Sequence, residues 1–178
     1  MNEVTTPATS MSDTHVSRRG AIITLIAVIN LPPLLGAKAM AVDGLTTIKS
    51  NNGPEETMER LKAAVIAKGM MVFAEIDHAD AAAKVSMVLR PTSLLIFGGP
   101  KGGTPVMQAV QTMGIDLPLK ALVWQDEAGT TWLSYNNPAW LATRHGVDSH
   151  TKAAIDAMTT VLGAVTSAAA ATLSIRQE

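Results

Sequence analysis

Apolar and polar positions along the chain fall into short blocks whose lengths and breakers predict alternating strands and helices. The clearest block is a hairpin: Leu119 to Gln125 and Thr130 to Tyr135 are runs of strand length, and Asp126 to Gly129 turns the chain between them. Upstream, Leu45 to Lys49 reads as a short strand broken by Asn51, Asn52, Gly53 and Pro54. A helix follows to Gly69, with Glu55, Glu56 and Glu59 early, Lys62 and Lys68 late, and Met58, Leu61 and Val65 on one face. Met70 to Ile76 is a strand, Asp77 to Val85 an alanine-rich helix, and Ser93 to Phe97 a strand expected to be buried on both faces. Gly98 to Gly103 reads as a turn, after which Thr104 or Pro105 opens a short helix through Met107, Val110 and Met113. Pro138 starts a helix to about His145, and Thr151 to Ile175 forms a long one with Ile155, Met158, Leu162 and Val165 inward. Interleaved helices and strands with a late hairpin predict an α+β fold, a two-layer sandwich with a mixed sheet flanked by helices.

The first 41 residues have a different pattern. A polar stretch leads to Ser17, Arg18 and Arg19, then an apolar run from Ala21 to Leu31 extends through two prolines to Leu35, and Ala39-Met40-Ala41 supplies small residues. This is the order of an export signal, with an adjacent arginine pair resembling the twin-arginine type. The run is shorter than the roughly 20 residues a spanning helix needs, so cleavage after Ala41 is expected, leaving no stable membrane span. The expected organisation is a leader, 1–41, and one exported or periplasmic domain, 42–178.

Composition narrows the chemistry. With no cysteine among 178 residues, disulfides, thiolate nucleophiles, thiolate metal sites and c-type haem are excluded. A formal charge of −1 without a basic cluster argues against a nucleic-acid partner. Aromatic residues make up 3%, so aliphatic side chains and methionine must fill the core.

Particular segments carry a family resemblance: Ile76-Asp77-His78, Leu89-Arg90-Pro91-Thr92, the run from Leu95 to Met107 through Gly98-Gly99-Pro100-Lys101-Gly102-Gly103, then Asp116 to Lys120, and Leu133-Ser134-Tyr135. In this order they resemble the domain of unknown function 302 family. The resemblance implies a compact fold that tends to form homodimers, and it implies no established reaction.

Several residues could hold a ligand. The glycine-rich segment at Gly98 and Lys101 reads either as a turn needing positive φ or as a cradle for an anion, and it lacks both the phosphate-loop and the dinucleotide patterns. His78 closes the apolar row Val72, Ala74, Ile76, which suits an axial ligand to the iron of a non-covalent haem b, a general base, or a histidine bonded to backbone. Phe97 and Met107 complete the candidate cofactor-binding set of His78, Phe97, Gly98, Lys101 and Met107. With Lys101 or turn amides stabilising an anion, His78 could serve an enzyme. Asp77 and Asp80 could orient its ring or cap a helix. His145, Asp148 and His150 offer a loosely spaced metal set, and Met70, Met71, Met87, Met107 and Met113 offer thioethers or core filling. Three functions follow: a small-ligand or cofactor-binding domain, an enzyme, and a dimeric partner-binding module using the C-terminal helix.

Overall fold

The computed structural model describes residues 42–172. The expected leader, its cleavage site and the predicted helix end near Ile175 lie outside them. The elements are β1 (Leu45–Lys49), α1 (Pro54–Ala67), β2 (Met71–Asp77), α2 (His78–Ala83), β3 (Thr92–Gly98), α3 (Pro100–Ala109), β4 (Leu119–Gln125), β5 (Thr131–Asn136), α4 (Pro138–His145) and α5 (Lys152–Ala170). A 3-10 turn at Gln111–Ile115 joins α3 to β4.

Local chemistry explains the boundaries. Pro54 occupies the first turn of α1 with Glu55 and Glu56, and Met58, Leu61 and Val65 turn inward. The Asn137 side chain accepts from the Ala139 and Trp140 N–H groups to start α4, and Gly146, at φ +66°, ends it. Asp77 caps α2 by accepting the Asp80 N–H at 2.9 Å.

The strands form one sheet in the order β1-β5-β4-β3-β2. The α+β class holds, but all four neighbouring pairs are antiparallel, which corrects the expected mixed sheet. The reason is where α1 delivers the chain: it carries it from β1 at one edge to β2 at the other, so the strands it joins never pair. One face of the sheet presents Leu95, Phe97, Leu119, Ala121, Val123 and Leu133 to a core completed by Leu61 and Val65 of α1 and by Ile155, Met158, Leu162 and Val165 of α5. Thus α5, although long and apolar enough to pass for a spanning segment, buries its stripe in this domain.

The opposite face is apolar over β2, β3 and the middle of β4 and polar toward β1. Register aligns Ile76, Leu94, Leu122, Ser134 and Thr47 in one row across all five strands, with Ala74, Ile96 and Lys120 beside it. Leu94 and Ile96 are half-buried rather than buried, so β3 is covered fully on one face only. Trp124 and Trp132 stack on this same face with ring centroids 6.2 Å apart.

The glycine-rich segment differs most from expectation. Gly98 ends β3, Gly99 is the N-cap of α3, Pro100 to Gly103 form the first turn of that helix, and Pro105 sits within it. None of Gly98, Gly99, Gly102 and Gly103 has positive φ. Proline at the first helical position presets the geometry that the glycines alone would leave open.

Candidate functional site

Three chain reversals meet at one end of the sheet. Gly69, at φ +71°, turns the chain out of α1 into β2 and sets Lys68, Met70 and Met71 there. Met71 pairs with Gly98, so the start of β2 lies beside the start of α3. Phe97 in turn pairs with Leu119, which brings Leu117 and Pro118 to the same place. The α5 face carrying Ala154, Met158 and Val161 closes the far side.

Between these segments lies an open cavity of about 700 Å³. Its apolar lining includes Met70, Met71, Phe73, Met107, Leu117 and Met158, and its charged side chains are Lys68 and Lys101. That size and a largely apolar lining with few polar groups are those of small-molecule sites. Phe73 lies at the irregularity in β2, where the register with β3 slips between Val72 and Ala74.

Lys120 steadies one wall. Its Nζ donates to the Asp116 and Pro118 carbonyls at 2.9 and 3.1 Å. Burial pushes its ammonium below the usual lysine range, with the Asp116 carboxylate opposing that shift.

Of the residues singled out by sequence, Gly98, Lys101 and Met107 line the cavity. Phe97 does not, because it is fully buried in the core beneath. His78 is exposed at the opposite end of β2. The strands run from the Met71–Gly98 pair to the Asp77–Ser93 pair, so His78 stands about 20 Å of extended chain away from the turn. This corrects the expectation that His78 and Lys101 share one site, whether for haem iron or for acid–base chemistry. Asp77 caps α2, and Asp80 pairs with Lys84 at 2.7 Å. Met70 and Met71 reach the cavity, Met113 is buried in the core, and Met87 is exposed.

The loose histidine set does not converge either. His145 bonds Asp116 and Thr112, whereas Asp148 accepts the His150 N–H at 2.9 Å. Among the described residues no group of three His, Asp or Glu side chains could hold a metal ion. Sequence reasoning missed Lys68, Leu117, Met158 and Val161 as site residues. They come from segments up to 93 positions apart (161 − 68), and only the tertiary fold joins them.

Comparison with known proteins adds a family and a neighbour. The model of the family described as "Domain of unknown function DUF302" matches residues 46–165. The chain is 46% identical over 127 residues to the "Fluoride-specific ion channel FluC 1" of Brucella suis biovar 1 (strain 1330), a match covering 71% of this chain and 50% of that protein. A protein of the same name from Brucella abortus biovar 1 (strain 9-941) matches at 46%, over 71% and 47% respectively. The chain therefore spans about half the length of these curated relatives. Among solved structures, an uncharacterized conserved protein DUF302 from Bacillus stearothermophilus shares the fold, with a TM-score of 0.65 and 22% identity, covering 72% of this chain and 99% of that one.

Proposed function

This chain belongs to the family of domains of unknown function DUF302, and on that premise we propose that it is a small-ligand-binding domain working from the cavity between β2, α3 and α5. The observation that carries this reading is the cavity of about 700 Å³, apolar inside and with lysines as its charged lining. Native mass spectrometry of the purified full-length protein tests it. The expected result is a bound small molecule that Gly102→Leu displaces, since a side chain at Gly102 projects from the cavity lining into open space. Binding that Gly102→Leu leaves untouched overturns the assignment of the cavity. A Soret band in the same preparation would identify the ligand as haem, held by donors other than His78.

The arginine pair and apolar run before Ala41 support export of the domain. The mass of the native protein, with or without residues 1–41, tests it.

A second reading concerns assembly. The row Ile76, Leu94 and Leu122 on the open sheet face, together with exposed Val85, Met87, Val88 and Leu89, supports pairing with a second copy. A five-stranded face is about 24 Å across, the scale from which standard interfaces are built. The α5 helix is less suited, since its apolar stripe is committed to the core. Sedimentation of Leu94→Glu should give a monomer; an unchanged dimer rejects this face. The channel name of relatives of which this chain matches about half supports a role as the extramembrane part of a fluoride-handling assembly, for which fluoride sensitivity of a strain lacking residues 42–172 is the test.

A further inference from the structure

We infer that the cavity takes an amphiphilic anion, a short aliphatic chain ending in a carboxylate; this rests on the cavity reading above. Four methionines, Met70, Met71, Met107 and Met158, come to it from three separate elements and the loop before β2. Unbranched thioether side chains adapt to a flexible apolar guest better than branched ones do, and they leave a surface without fixed hydrogen-bond demands. Leu117, Val161 and Phe73 extend the same character.

Charge is distributed differently. The ionisable lining side chains, Lys68 and Lys101, are both cationic, both exposed, and neither joins an ion pair among the described residues. Of the other described lysines, Lys62, Lys84 and Lys152 each pair with a carboxylate and Lys120 donates to two carbonyls, while Lys49 joins no ion pair. Lys101 also stands in the first turn of α3, whose N-cap Gly99 supplies no side-chain acceptor, so the positive end of the ten-residue helix lies at the cavity lining with the two lysines. An apolar cavity with cationic groups complements a molecule with one greasy end and one negative end.

Gly102 offers a place to probe the cavity. Its backbone is helical, without positive φ, and a Cβ there would meet nothing within 4 Å. Neither torsion nor packing within the chain requires glycine, which is a poor helix former. Gly163 of α5 shares these properties away from the cavity, so it is the place of Gly102 in the lining that makes a larger side chain there a probe of this site.

Calorimetry on the full-length protein with octanoate, octanol and octylamine tests the inference. Octanoate should bind at least about ten-fold more tightly than octanol, with octylamine weaker still. Lengthening octanoate to decanoate should add up to roughly four-fold per methylene, the gain for burying each group. The variant Lys68→Gln/Lys101→Gln, altered at two exposed side chains, should keep octanol affinity and lose the preference for octanoate, with circular dichroism confirming the fold. Equal binding of octanoate and octanol overturns the charge assignment and leaves the cavity reading intact. Octanoate binding that Gly102→Leu does not weaken places the site elsewhere and overturns the inference. If none of the three binds, the inference falls, and the cavity reading stands or falls on the native mass spectrum of the protein and its Gly102→Leu variant.

Discussion

His145 Nε2 stands 2.7 Å from Asp116 Oδ2, tying the end of α4 to the segment that becomes the Leu117–Leu119 wall of the cavity. With a proton on Nε2 the ring donates to Asp116, and its Nδ1 shares a hydrogen bond of 3.1 Å with the Thr112 hydroxyl, which can give or take the proton. The two side chains retain only 9% and 12% of their exposure, so little water is at hand to replace a lost partner. His145→Ala should therefore cost about 2 kcal/mol, in the range for a hydrogen bond to a charged group. Arg144, at 3.3 Å from the same carboxylate, keeps Asp116 from being orphaned and limits the loss. The midpoint of urea unfolding measures it, and a change below about 0.5 kcal/mol shows the tie to be unimportant.

Gly44 should tolerate no side chain. Its φ is +77°, and a Cβ built there would overlap the indole ring of Trp140. The backbone penalty for alanine in this region is about 1 kcal/mol, and displacing the ring adds to it. Gly44→Ala is expected to lose more than about 2 kcal/mol. In a double-mutant cycle, Trp140→Ala should recover the steric part and leave the backbone part; complete recovery or none would show that one of the two causes is missing.

The inward stripes were legible because they are local. Met58, Leu61 and Val65 of α1, and Ile155, Met158, Leu162 and Val165 of α5, recur at helical spacing and are all buried. The β4–β5 hairpin was legible for the same reason, its turn chemistry lying between two strand-length runs. Strand direction was not, because a helix between two strands suggests parallel neighbours, yet α1 spans the whole sheet from β1 to β2. At Gly98 to Gly103 the number of glycines suggested a turn, while Pro100 at the first helical position prevailed. Part of the site was visible as Gly98, Lys101 and Met107; Lys68 and Met158 have no local signature that could join them to it.

Asp126 should shape the acid limb of stability. The hydrogen bond from Trp132 Nε1, at 2.8 Å, is the main cause holding its carboxyl below the usual range, followed by the backbone N–H groups of Thr130 and Ala128. A carboxylate with a depressed folded-state pKa contributes stability that is full above its unfolded value, near 3.9, and is lost as pH falls through the folded value. Asp126→Asn should accordingly lower stability at neutral pH and flatten the decline below about pH 4. Unfolding free energies from pH 2 to 7 for the two proteins decide it; parallel curves would mean that Asp126 titrates alike folded and unfolded.

Gly102→Ala should raise stability. The position lies in the first turn of α3 with helical backbone and free space around the new methyl group, so nothing in the folded chain opposes the change. Alanine also narrows the unfolded ensemble, and the expected gain is about 0.4–1 kcal/mol, read as a higher thermal midpoint. Because Gly102 lines the cavity, the added methyl group is expected to take volume from it, so a more stable protein that binds its ligand less well is the combined expectation. That opposition separates a functional glycine from an incidental one. If Gly102→Ala gains stability and binds as before, the glycine is incidental; if it loses stability, the α3 turn has a steric demand that the helical geometry does not account for.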